Sequence, residues 1–190
     1  RLLMPRAETN SATSVKAERI AKVIARAGLC SRREAERWIS EGRVMLDGMV
    51  LDSPAITVTQ NNKIVVDGEL LPGPEKLKVW RYHKPAGLLT THNDPEGRPN
   101  LFDSLPNDLP RVISIGRLDL TSEGLLLLTN DGELARELEL PANSWLRRYR
   151  VRVHGRPDKK TLNDLINGVT IDGVRYKSIQ AELDRQQGAN

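Results

Sequence analysis

Residues 116–132, reading GRLDLTSEGLLLLTNDG, constrain this chain more than any other stretch. Four consecutive leucines, Leu125, Leu126, Leu127 and Leu128, run into the turn signal Asn130-Asp131-Gly132. An apolar run this short, closed by such a turn, reads as a buried central strand. A Gly-Arg-Leu-Asp turn precedes it, so Asp119 sits where a rigid element can hold a carboxylate at the wall of a cleft. A turn aspartate capping its own backbone would leave the same local sequence.

The flanking segments supply a sheet for such a strand. Residues 79–83 alternate as a strand, and Lys84-Pro85 ends it. Residues 86–110 form a long loop carrying Pro95, Pro99, Pro106 and Pro110, and loops of this length usually carry function. A strand over 112–115 precedes the Asp119 turn, and Asp131 is placed to cap a helix over 133–138. Tyr149, Val151 and Val153 alternate with Arg150, Arg152 and His154, which predicts a strand with one apolar and one basic face. Leu162, Leu165 and Ile166 make a helical face, and Asp172-Gly173 turns a hairpin between 169–171 and 174–176. The pattern is α+β on a mainly antiparallel sheet.

The N-terminal part is built differently. Residues 1–15 are polar and aperiodic, and read as a disordered lead. Ile20, Val23, Ile24 and Ala27 then fall on one helical face, which Gly28 terminates. Ser31 opens a second helix as a capping box with Glu34, with Ala35, Trp38 and Ile39 as its core stripe. Gly42 closes it; short strands follow at 44–46 and 63–66, the first ending in the Asp47-Gly48 turn. Arg19, Arg26, Arg32, Arg33, Arg37 and Arg43 crowd into this stretch, and clustered cations are rewarded by phosphates through counterion release. Glu18, Glu34, Glu36 and Glu41 are interleaved, so a solvated charged face is the competing reading. Most of these acids fall near helix N-termini, where the helix dipole accounts for them. Leu71-Pro72-Gly73-Pro74 is the clearest linker signal, which sets an N-terminal domain at 16–71, a linker at 72–76 and a second domain from 77 to 190.

A formal charge of +4 with pI near 9.4 points to a polyanionic partner, while aromatic content of 4% argues against extensive stacking on exposed rings. The single Cys30 excludes an internal disulfide, fits a reducing compartment and reads as a small buried residue. No apolar run reaches membrane-spanning length and no signal-peptide core is present, so a cytoplasmic protein without membrane contact is expected. His83, His92 and His154 are scattered, without ligand or triad spacing, and neither a metal nor an organic cofactor is expected.

GRLD, then Thr121, then GLLLLTNDG closely resembles the catalytic motif of the RsuA/RluB-like ribosomal RNA pseudouridine synthases. Residues 82–106, YHKPAGLLTTHNDPEGRPNLFDSLP, resemble that family's first motif and following loop, and residues 148–157, RYRVRVHGRP, its tyrosine-bearing strand. The DPEGRP loop at 94–99 looks most like the branch acting on large-subunit rRNA. SRREAERWISEGRVMLDG resembles the centre of the S-four-type RNA-binding domain, over roughly 17–70.

The resemblance implies isomerisation of uridine to pseudouridine in ribosomal RNA by a monomer, with Asp119, Arg117 and Tyr149 as the catalytic group. Asp119 would attack sugar or base, or abstract a sugar proton. Arg117 would hold Asp119 ionised, fill the gap left by a flipped nucleotide, or bind backbone phosphate. Tyr149 would pack on the target base, or serve only sheet packing. The family's lysine two positions before this tyrosine is here Arg147, which keeps the charge but not the geometry. The family's basic third motif is expected near residue 195, beyond Asn190, so the second domain reads as C-terminally incomplete. The alternatives are a non-catalytic rRNA- or ribosome-binding protein, an inactive synthase fragment, and a glycosylase releasing free uracil.

Overall fold

The computed structural model describes residues 17–184, which form two compact units divided between Trp145 and Leu146. The disordered lead expected at 1–15 lies outside the described residues.

The first unit opens with β1 (Glu18–Arg19), α1 (Ile20–Arg26) and α2 (Arg32–Ser40), followed by the short strands β2 (Val44–Leu46), β3 (Met49–Val50), β4 (Thr57–Val58), β5 (Ile64–Val66) and β6 (Glu69–Leu70). Strands β3-β2-β5-β6 form one antiparallel sheet, and β1 pairs with β4. The helical periodicity correctly picked the core face. Ile20, Ile24, Ala35 and Ile39 are fully buried and share one cluster with Val44, Val58, Ile64 and Val66. Ser31 Oγ accepts from the Glu34 amide at 3.1 Å, so the first half of the capping box forms. The Glu34 carboxylate does not return to the Ser31 amide; it takes the Trp38 Nε1–H at 3.0 Å and the Arg37 guanidinium instead. Asp47-Gly48 and Asp67-Gly68 both adopt positive φ, the conformation that two-residue hairpins require. The second of these turns carries the same signal as the first and was not predicted.

The unit continues into a three-stranded antiparallel sheet of order β7-β9-β8, with β7 at Val79–Lys84, β8 at Ile113–Ile115 and β9 at Gly124–Thr129. The leucine run is the central strand, as its sequence predicts, but it is not buried throughout. Leu126 and Leu128 are 4% and 1% exposed, whereas Leu125 is 67% exposed. Successive side chains point to opposite faces. One face lies under the long loop, which contributes Leu88, Leu101, Phe102, Leu105 and Leu109, with Val112 just before β8 completing the cluster. Helix α3 (Gly132–Glu139) packs against β8 and the C-terminal part of β9, with Ala135 buried. Its N-cap is the predicted one: Asp131 Oδ1 accepts from the amides of Glu133 and Leu134, both at 2.8 Å.

The second unit holds α4 (Lys159–Asp164) and the hairpin β10 (Val169–Ile171) to β11 (Val174–Tyr176), which turns at Asp172-Gly173 as predicted. Asp158 caps α4 by accepting from the Thr161 amide at 2.7 Å. The strand expected around Tyr149 is absent from the described residues. The alternation is present in the sequence, but a strand is defined by backbone pairing, and no strand pairs with this segment. Tyr149, Val151 and Val153 are 63%, 73% and 58% exposed.

Candidate active site

Asp119 lies at an exposed turn between β8 and β9, and the first unit fixes the backbone of that turn from several directions. Lys84 ends β7 on the same face as Trp80 and Tyr82, which turns its side chain into the protein, where it is 0% exposed. Its Nζ donates to the carbonyls of Asp119 at 3.0 Å, Ser122 at 2.8 Å and Pro85 at 3.1 Å. Three ammonium donors thus meet three carbonyls, and no donor is left over in a buried place. The Gly87 amide donates to the Leu120 carbonyl at 2.7 Å, and Thr90 Oγ1 to the Leu118 carbonyl at 2.8 Å. The Ser122 amide closes the turn on the Asp119 carbonyl at 3.0 Å. The segment KPAGLLT therefore holds the turn by its oxygens, a role that the period-2 pattern of β7 could have revealed for Lys84.

The side chains behave oppositely to this backbone. Among the described residues, the Asp119 carboxylate and the Arg117 guanidinium have neither a hydrogen-bond nor an ion-pair partner, and both residues are exposed. The structure does not bring Arg117 into an ion pair with Asp119, and Asp119 does not cap its own turn. Tyr149 belongs to the second unit, in the exposed segment described above.

The long loop is ordered by its own contacts. Asp94 accepts from the Arg98 amide at 2.8 Å and from Arg98 Nη2 at 2.7 Å, and Arg98 holds its carboxyl down to about 2. Asn100 Oδ1 accepts from the amides of Phe102 and Asp103, and across the loop's neck the Leu89 amide donates to the Pro99 carbonyl while the Leu101 amide donates to the Leu89 carbonyl. His92 stacks on Phe102 with ring centroids 3.5 Å apart.

The six arginines of the N-terminal part divide into two sets. Arg19, Arg32 and Arg33 are exposed and have no acidic partner among the described residues. Arg26 pairs with Glu18 at 2.6 Å, and Arg37 pairs with Glu34. Arg43 makes a bidentate pair with Asp67, at 2.8 and 2.6 Å, and lies 4.6 Å over the Trp38 ring. The helix dipole thus accounts for Glu34 in the first turn of α2, whereas Glu41 sits at the helix C-terminal end and is held there by Arg37 and Arg43. Cys30 is buried, and burial pushes its thiol up to about 11. Among the described residues no helix is long and apolar enough to cross a membrane.

Comparison with known proteins converges on one family. The RNA pseudouridylate synthase family profile matches residues 78–188, and the S4 domain profile matches residues 18–64. An uncharacterised RNA pseudouridine synthase of Rickettsia felis is 50% identical over 173 residues, covering 91% of this chain and 75% of the relative. Ribosomal large subunit pseudouridine synthase B of Yersinia pestis is 45% identical over 161 residues, covering 82% of this chain and 51% of the relative. A solved pseudouridylate synthase superposes with a TM-score of 0.54 at 23% identity, covering 88% of this chain and 73% of that one, and so shares the fold. The mixed α/β architecture, the antiparallel sheet behind the Asp119 turn and these matches agree: the chain belongs to the RNA pseudouridylate synthase family, an isomerase family, and carries an N-terminal S-four-type RNA-binding domain.

Proposed function

We propose that this protein isomerises uridine to pseudouridine in ribosomal RNA of the large subunit, with Asp119 as the reacting carboxylate. One observation carries the reading: a partnerless, exposed carboxylate stands on a turn whose backbone is held by the buried Lys84. A carboxylate without hydrogen-bond donors keeps its lone pairs for the substrate, and a pinned turn holds it there without reorganisation. The large-subunit assignment is supported by the 45–46% identity to proteins named ribosomal large subunit pseudouridine synthase B. The chain spans 51–59% of those relatives' lengths, so it corresponds to only part of each.

In the reaction the C1′–N1 bond breaks, the uracil turns while held, and C5 bonds to C1′. The C5 proton is lost and N1 ends protonated, so substrate and product have the same composition. Departing uracil is a delocalised anion, which hydrogen bonds can stabilise without the second carboxyl group that a glycosidase uses on a poor leaving group. Asp119 acts on sugar or base once the nucleotide has left the helix stack, with Arg117 occupying the vacated place or the neighbouring phosphate. Tyr149 packs on the target base. The arginines at 19, 26, 32, 33, 37 and 43 supply phosphate contacts, and the residues without acidic partners supply them most cheaply. The RNA-binding domain spans 16–71 and is joined by 72–76 to the catalytic domain at 77–190. An rRNA substrate implies a cytoplasmic protein, which acts as a monomer.

The test is Asp119→Asn assayed on large-subunit rRNA. Pseudouridine formation is expected to vanish while RNA affinity stays within about threefold, since one neutralised exposed carboxylate removes no phosphate contact. Turnover comparable to the parent protein would overturn the assignment.

A further inference from the structure

The anchors named so far hold the Asp119 turn by its carbonyl oxygens and, apart from the turn's own Ser122 amide, come from the Lys84–Thr90 segment. Where the chain leaves β8, a different element takes over: the Gly116 amide donates to Glu139 Oε1 at 2.7 Å. Gly116 has φ of +74°, and nothing lies within 4 Å of where a Cβ would be. A glycine in open space is the most freely pivoting point of a backbone, so the approach to Arg117 and Asp119 is the side most in need of a tether.

Glu139 is the last residue of α3, where a carboxylate faces the negative end of the helix dipole and is poorly placed for helix stability. Its position is explained by the bond it makes. Helix α3 starts directly after β9 and runs back along the sheet, with Asp131 fixing its first turn and Ala135 buried beneath it. Its final turn thereby returns to the start of the Gly-Arg-Leu-Asp sequence.

We infer that Glu139 is a positioning residue for the reaction, holding the Gly116 hinge so that the Asp119 carboxylate meets the target nucleotide in one geometry. The inference rests on the reading of Asp119 as the reacting group. Glu139 touches no substrate and acts through the Gly116 amide alone.

The experiment is single-turnover pseudouridine formation on a large-subunit rRNA transcript, for Glu139→Ala, Glu139→Gln and Asp119→Asn side by side. Displacing a reacting group by a fraction of an ångström lowers rate rather than affinity, so Glu139→Ala is expected to slow the saturated rate about tenfold with half-saturating RNA within about twofold. Its melting temperature should stay within about 2 °C, because the lost bond is exposed. Glu139→Gln retains an oxygen acceptor for the Gly116 amide and is expected to recover most of the rate. A Glu139→Ala rate within about twofold of the parent overturns the inference, as does a loss that Gln fails to recover or one matched by a fall in melting temperature. An active Asp119→Asn protein would instead bring down the reading beneath it; an inactive one beside an unslowed Glu139→Ala protein brings down this inference alone.

Discussion

Lys84 and Asp119 are joined through the main chain and not through their charges. The Lys84 Nζ donates to the Asp119 carbonyl at 3.0 Å, leaving the carboxylate of the same residue unpartnered at the surface. A buried cation is thus placed under the turn without neutralising the anion above it.

Replacing that cation should separate stability from chemistry. In Lys84→Met the stem is kept, but the carbonyls of Pro85 and Ser122 lose their donor and that of Asp119 keeps only the Ser122 amide. Leaving a part-buried acceptor unmatched costs up to about 1–3 kcal/mol, less where water reaches it, so a net loss of about 1–3 kcal/mol is expected. Urea unfolding followed by circular dichroism reads the loss directly. Under native conditions turnover should fall further than RNA affinity does, and an unchanged unfolding midpoint would rule out the clamp.

The two sets of arginines predict different phenotypes. Arg32 and Arg33 have no acidic partner among the described residues, so Arg32→Ala with Arg33→Ala should flatten the salt dependence of RNA binding by roughly one to two units at unchanged melting temperature. Arg43 is bound to Asp67 and stacked on Trp38, so Arg43→Ala should lower the melting temperature and change the salt slope least. Filter binding over a salt series, with thermal melts of the same proteins, would expose a reversed pattern.

Acid should loosen the N-terminal part through Glu18. Arg26 first, and Lys22 after it, hold its carboxyl at about 2, against an ordinary 4.5. The folded value is the lower one, so the stabilisation is complete above about pH 4.5 and is lost as pH falls through about 2. Allowing for solvent screening, it amounts to about 1–2 kcal/mol. Asp94, held low by Arg98, titrates in the same window, so the informative quantity is a difference. Melting temperatures of Glu18→Gln and the parent, measured from pH 6 to pH 2, should converge at the acid end; curves that stay parallel would deny Glu18 this role.

Local sequence determined what depends on local rules. Asp131 caps α3, Ser31 caps α2, and the Asp-Gly pairs at 47–48 and 172–173 turn hairpins, because side-chain caps and positive-φ turns need only neighbouring residues. The apolar periodicities found the buried faces of α1 and α2 and the central place of the leucine strand. Tertiary structure alone decided which face of that strand is covered, because Leu125 and Leu126 differ only in what packs over them. It also decided that the alternating segment around Tyr149 forms no strand among the described residues, since a strand requires a partner that its own sequence cannot supply. Above all it decided what holds Asp119: Lys84, Thr90 and Glu139 stand 35, 29 and 20 positions away along the chain. Hydrogen bonds over such separations exist only once the sheet has brought β7, the Asp119 turn and the end of α3 to one place.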